Sequence, residues 1–133
     1  MRHFVLIITL VFLASCSAYK IDMREANNCP SGYLLALQQS DFDKASTYYS
    51  DMFNETESPE RRIEKMQKLE EAMGKIISYE LTDSVLQKNT GEIPTVLFTY
   101  KVKHTEVIAT YKFNIMKDAG KYRIISQYVE TDN

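Results

Sequence analysis

The hydrophobic period of this chain changes once, at Gly74-Lys75, and the change constrains the fold more than any other feature. Before it, apolar residues recur every three or four positions, as on a buried helix face. After it they alternate. Val107, Ala109, Tyr111, Phe113 and Ile115 point one way, and Thr110, Lys112 and Asn114 the other. Val96, Phe98, Tyr100 and Val102 likewise oppose Thr99, Lys101 and Lys103. Four strands are expected, at about 76–87, 94–104, 106–116 and 121–130, separated by Asn89-Thr90-Gly91, by His104-Thr105 and by Lys117-Asp118-Ala119-Gly120.

Short connections make these strands an antiparallel meander. Its register follows from requiring all apolar faces to meet one core, because a slip of one residue turns a strand inside out. A turn at His104 pairs Val102 with Val107, Tyr100 with Ala109, Phe98 with Tyr111 and Val96 with Phe113. A four-residue turn at Lys117–Gly120 pairs Ile115 with Tyr122, Tyr111 with Ser126 and Ala109 with Tyr128. The first hairpin pairs Val85 with Val96, Asp83 with Phe98 and Leu81 with Tyr100.

Three helices are expected before the sheet. Tyr33–Gln39 carries Leu34 and Leu37 on one face. Ser40-Asp41-Phe42-Asp43 fits a capping box opening a second helix, in which Phe42, Ala45, Tyr49 and Met52 or Phe53 recur at helical steps. Ser58-Pro59 is a third start signal, a capping hydroxyl before a proline at the first helical position. Ile63, Met66, Leu69 and Met73 form its apolar stripe. Arg61, Arg62, Glu64, Lys65, Lys68, Glu70 and Glu71 cover the solvated side, and Gly74 stops the helix. The expected class is α+β: three N-terminal helices packed on a curved four-stranded antiparallel meander.

The amino terminus has a different logic. Met1-Arg2-His3 precedes an apolar run from Phe4 to Leu13, followed by Ala14-Ser15-Cys16. A basic start, about ten apolar residues and small residues at the cut describe a secretory signal. A permanent membrane helix needs about 20 apolar residues. Leu13-Ala14-Ser15-Cys16 closely resembles the lipobox of bacterial lipoproteins. The resemblance implies cleavage before Cys16, a diacylglycerol on its sulfur and further acylation of the new amino terminus. Ser17 rather than Asp after the cysteine favours the outer over the inner membrane if the host is Gram-negative. The alternatives are an ordinary secretory signal cut elsewhere, or an uncleaved anchor. The expected organisation is a signal at 1–15, a lipidated tether at 16–30 and one domain at 31–133.

The full chain has 16 Lys+Arg against 18 Asp+Glu and a net charge of −2. Mixed, slightly acidic charge gives no basic footprint for nucleic acid. With Cys16 lipidated, Cys29 has no disulfide partner and is either buried or a free thiol. The mature chain keeps one histidine, His104, expected to be exposed at a turn. That leaves neither a histidine metal cluster nor a Ser-His-Asp triad. Gly32, Gly74, Gly91 and Gly120 form no phosphate loop, so no cofactor or metal is expected.

Three stretches carry a second resemblance. They are Gly32-Tyr-Leu-Leu-Ala-Leu-Gln-Gln-Ser-Asp-Phe-Asp-Lys-Ala45, Met73-Gly-Lys-Ile-Ile-Ser-Tyr-Glu-Leu81 and Gly120-Lys-Tyr-Arg-Ile124. Together they are similar to nuclear-transport-factor-two-like (cystatin-like, cone-shaped) domains, among them small lipid-anchored bacterial members. Tyr122 stands where that family often has Trp. The resemblance implies a cavity between helices and sheet.

The expected register puts Asp83, Phe98, Tyr111 and Ser126 in one concave row and Leu81, Tyr100, Ala109 and Tyr128 in the next. Asp83 is the odd residue, a carboxylate where Ile77, Tyr79, Leu81 and Val85 predict an apolar side chain. Buried there it would have a raised pKa and serve as a base, with Tyr100, Tyr111 or Tyr128 donating to an oxyanion. A bulge near Thr82-Asp83-Ser84 would instead turn it to water. The functional expectation is a non-catalytic lipid-anchored module binding a small apolar ligand or an envelope protein. The alternatives are an isomerase- or cyclase-like enzyme using Asp83, and a structural lipoprotein that dimerises through Leu97, Ile108 and Met116 on the outer sheet face. A monomer or homodimer fits these readings.

Overall fold

A computed structural model of the chain describes residues 20–88 and 91–132. Cys16 and the lipobox lie outside them. The elements run α1 (Met23–Gln38), α2 (Phe42–Ser46), α3 (Asp51–Thr56), α4 (Pro59–Met73), β1 (Ile76–Gln87), β2 (Thr95–His104), β3 (Ile108–Asp118) and β4 (Lys121–Thr131). The strands form one antiparallel sheet in the order β1-β2-β3-β4. The class is α+β, with the helices first and the meander after them.

The helical half differs from expectation in three places. The expected tether is shorter, because α1 begins at Met23 and runs through Pro30. Asp22 caps it, its carboxylate accepting from the amides of Arg24 (3.0 Å) and Glu25 (3.2 Å). The amide of Asp22 donates to the Tyr122 hydroxyl at 2.9 Å, which ties the helix start to β4. An interior proline costs a helix about 3 kcal/mol. Burial of Ala26, Cys29, Pro30, Tyr33, Leu34 and Ala36 on one face offsets it.

The expected capping box is also displaced. Asp41, not Ser40, caps α2, accepting from the Lys44 amide at 3.2 Å. Ser40 adopts a left-handed conformation (φ 54°) and donates to Glu70 at 2.6 Å. Finally, the expected second helix is two short ones. Between them Tyr49 forms a parallel bridge to Ile124. The Ser50 amide donates to the Ile124 carbonyl at 2.9 Å, and the Ile124 amide to the Tyr48 carbonyl at 2.8 Å. Pairing with β4 replaces helical bonding there.

The strand bounds agree closely with expectation, but the β2–β3 and β3–β4 registers are shifted. Val102 pairs with Ala109, Tyr100 with Tyr111, Phe98 with Phe113 and Val96 with Ile115. The β2–β3 loop lies one residue later than expected because it is fastened to the α4–β1 junction. The Thr105 amide donates to Lys75 at 2.9 Å and the Glu106 amide to Met73 at 3.0 Å. Ala119 (φ 50°) and Gly120 (φ 82°) make the β3–β4 turn a two-residue one between Asp118 and Lys121. Two positive φ angles match strand twist in such hairpins, so Ile115 faces Ile124 rather than Tyr122.

Three residues interrupt the ladders. Ile77 and Thr82 are passed over in β1, and Ile125 in β4. Each bulge reverses which side chains face the core. Even so, Val96, Phe98, Tyr100, Val102, Ala109, Tyr111, Phe113, Ile115 and Ile124 all lie in one buried cluster with α1.

Candidate functional site

The expected concave rows do not form a site. Phe98, Tyr100 and Tyr111 are buried in the core. Asp83 is exposed and pairs with Thr99, because the Thr82 bulge turns it outward, as the alternative reading held. Its carboxylate accepts from the Ser84 amide at 2.9 Å. Leu81 does face Tyr100, but β1 runs beyond the cover of the helices there and Leu81 stays 40% exposed. Past the Ile125 bulge Ser126 pairs with Asn114 and Tyr128 with Lys112, so both point outward. Tyr128 is 59% exposed. Asp83 therefore lies on the solvent face of the sheet, away from the buried Tyr100 and Tyr111. The pocket-carboxylate enzyme loses its base.

The space between helices and sheet is nearly full. A void of about 20 Å³ remains among Tyr33, Met66, His104 and Tyr111, room for about one water. His104 is buried rather than exposed. The β2–β3 loop folds back on Gly74, so the imidazole turns inward. Its Nδ1 lies 2.8 Å from the Gly74 carbonyl and its Nε2 2.9 Å from the Tyr111 hydroxyl. The Gly74 carbonyl can only accept, so Nδ1 donates to it. Burial pushes the Tyr111 phenol up. Burial also pushes Tyr100 up to about 12, partly opposed by its hydrogen bond to Asn27.

Open space also adjoins Tyr33. A cleft of about 210 Å³ lies between α4 and β4. Tyr33, Tyr49 and Gln127 form its polar floor, and Phe53, Met66, Leu69 and Val129 its apolar walls. An ion pair between Lys65 and Glu57, 3.0 Å, stands on its rim. The floor is wired together. The Tyr33 hydroxyl donates to Gln127 at 3.2 Å, and the Tyr49 hydroxyl reaches both Tyr33 (3.1 Å) and Gln127. Burial raises both phenols, Tyr49 the more strongly because Tyr33 also crowds it. Gln127 reaches this floor only because the Ile125 bulge turns it inward.

Arg62 closes the back of the cleft. It was expected on the solvated side of α4, yet it is 4% exposed. Its guanidinium donates to Ser46 twice (3.1 Å each) and to Asn54 at 2.6 Å, and it stands 4.4 Å from the Tyr49 ring centroid. Its Nε has no partner. No carboxylate pairs with it among the described residues. The expected stripe of α4 is rotated toward this residue: Arg62, Met66 and Met73 are buried, while Leu69 is 36% exposed.

Fold and cleft together define a small α+β domain with a packed core and a side pocket. Family models give no match to this chain, and no curated protein matches it in sequence. Among solved structures, it is similar to one described as the structure of Bdellovibrio bacteriovorus Bd1075. The TM-score is 0.57 at 12% identity, over 83% of this chain and 40% of that one. The likeness is one of fold, and this chain spans 40% of that protein's length. No helix among the described residues is long and apolar enough to cross a membrane.

Proposed function

We propose that this protein is a lipid-anchored module of the bacterial envelope that binds a small, largely apolar molecule without chemistry. The observation that carries the reading is the α4–β4 cleft. It pairs apolar walls with a few convergent polar groups, the usual make-up of a small-molecule site. At about 210 Å³ it suits a ligand smaller than most drugs. Phe53, Met66, Leu69 and Val129 would hold the apolar body, and Tyr49, Gln127 and Lys65 a polar end. The lipobox supports the anchor, and Ser17 supports the outer membrane. Two or more acyl chains on one residue make release negligible, since each buried methylene contributes about 0.8 kcal/mol. The cone-shaped family resemblance supports the placement of a pocket between helices and sheet, although here the centre is filled.

Native mass spectrometry tests this reading. The chain would carry Cys16→Ser, made in a bacterial periplasm beside the same chain with Leu69→Lys. A co-purifying small molecule lost on placing a charge in the wall supports the cleft. A bare chain in both samples contradicts it.

A second reading, an envelope-protein partner, is favoured by one observation. The outer half of β1 is open on both faces and leaves Leu81, Val85 and Leu86 exposed at a sheet edge. Such edges pair readily with other strands. A complex captured by cross-linking at β1 and lost in Leu86→Lys would move the proposal there.

A further inference from the structure

The point at which the chain enters the domain is fixed. Ile21 packs on the core, and the Asp22 amide donates to the Tyr122 hydroxyl at 2.9 Å. Tyr122 lies at the start of β4, so entry is at one end of the sheet. At that end β1 stops, β2 starts and the β3–β4 turn lies. By the lipobox reading the acylated residue is Cys16, four residues before Lys20. Four residues reach about 14 Å when fully extended, and a domain of this size has a radius of gyration of about 13 Å. So short a tether holds this end of the sheet, and not the other, beside the bilayer.

The side chains at this end suit that neighbour. Leu86, Val96, Ile115 and Ile124 form the last inner row of the sheet. The tip of the β1–β2 hairpin lies beyond it, and Val85, Leu86 and Ile93 are exposed there. Lys20, Lys88, Lys117 and Lys121 are exposed around the same end, and none of them is ion-paired among the described residues. Asp22, Glu92 and Asp118 stand among them, Asp22 being engaged in capping α1. The balance here is basic, although the whole chain carries −2. Apolar side chains can enter the boundary between headgroups and acyl chains, while lysines beside them keep their ammonium groups among the phosphates. A protein strand on β1 would also cover Val85 and Leu86, but it would leave the lysines and the chain entry at this end without a part. We infer that this end of the sheet docks on an anionic lipid surface, with Leu86 and Ile93 in the interface and the four lysines on the headgroups. The inference rests on the anchor in the proposed function and is independent of the α4–β4 cleft.

The chain contains no tryptophan, so a single introduced one reports on its own surroundings. Ile93→Trp places it at the hairpin tip. Ile108→Trp places it at the start of β3, on the opposite end of the sheet, where Ile108 is also exposed. Each full-length variant is made in a bacterial host, and its intact mass is measured. It is then reconstituted into vesicles of phosphatidylethanolamine and phosphatidylglycerol whose brominated acyl chains quench indole on contact. Ile93→Trp fluorescence is expected to fall at least twofold, and Ile108→Trp fluorescence to stay nearly unchanged. Replacing phosphatidylglycerol with phosphatidylcholine, or adding Lys88→Glu/Lys121→Glu, is expected to remove at least half of the quenching. The inference is overturned if both indoles are quenched alike, or if neither change of charge alters the quenching. A mass without acyl groups overturns the anchor reading and this inference with it. An acylated protein whose Ile93→Trp indole is unquenched overturns the docking alone.

Discussion

The guanidinium of Arg62 stands 4.4 Å from the centre of the Tyr49 ring, and Tyr49 in turn forms the floor of the α4–β4 cleft. One buried cation thus holds α4 against the α2–α3 connection and fixes the phenol that a ligand would meet. Arg62→Ala would leave the Ser46 and Asn54 acceptors without their donor and remove the cation from the ring. A hydrogen bond to a charged group contributes about 1.5–3 kcal/mol, and a loss of that order is expected in urea unfolding. Arg62→Lys keeps the charge but not the forked donors, and should recover less than half of the loss.

Asp83 and His104 exchange the importance that their sequence positions suggest. Asp83→Asn removes an exposed carboxylate, so stability should change by less than about 0.5 kcal/mol. His104→Leu leaves the Tyr111 hydroxyl and the Gly74 carbonyl without their partner in a buried site. Its expected cost is about 1–3 kcal/mol per orphaned group. Paired urea melts of the two variants check both values.

Four buried phenols make the fold sensitive to alkali. Tyr33, Tyr49, Tyr100 and Tyr111 all have pKa values raised by burial, Tyr100 to about 12. The folded state holds their protons more tightly than the unfolded chain, whose phenols titrate near pH 10. Their contribution is therefore fully present below about pH 10 and is lost as pH rises through the folded-state values. Urea midpoints should stay level, as far as these groups decide, up to about pH 9.5 and fall between about 10 and 12. Tyrosinate absorbance should appear together with unfolding for these four rings.

The two cysteines should behave as opposites. The Cys29 thiol is buried, and burial pushes it up to about 12 against the lowering effects of Arg123 and an Ile124 backbone bond. Thiolate is the reactive form, so iodoacetamide at pH 8 should leave Cys29 unmodified in the folded chain and label it fully in urea. Cys16, by the lipobox reading, should incorporate labelled palmitate in a bacterial host. Cys16→Ser should abolish that label and leave the signal at 1–15 uncleaved, which a mass measurement of the intact chain reads directly.

The sheet was readable because alternation survives over each strand: β3 shows apolar residues at every second position from Ala109 to Ile115. The bulges were only partly readable. Asp83, a carboxylate in an apolar row, already pointed to one near Thr82, whereas Ile125 is a β-branched residue that suits a strand, and nothing local marks it as unpaired. Yet each reverses a face, and the Ile125 bulge alone replaces Ser126 and Tyr128 with Gln127 and Val129 at the core. Arg62 was hidden in a run of charged neighbours. Its signal was spacing, since it lies four residues before Met66 on the helix surface that is buried. Pro30 suggested a stop, whereas Asp22 followed by Glu25 already marked an earlier helix start. The cleft depends on these unread features, and so the sequence located an apolar face but not the pocket beside it.

The most direct measurement is an amide NMR titration of the Cys16→Ser chain with N-phenyl-1-naphthylamine as an apolar probe. The account predicts saturable shifts confined to Phe53, Met66, Leu69, Gln127 and Val129, and their loss in Leu69→Lys. Shifts centred instead on Leu81 and Leu86 of β1, or no saturable shift at all, would contradict it.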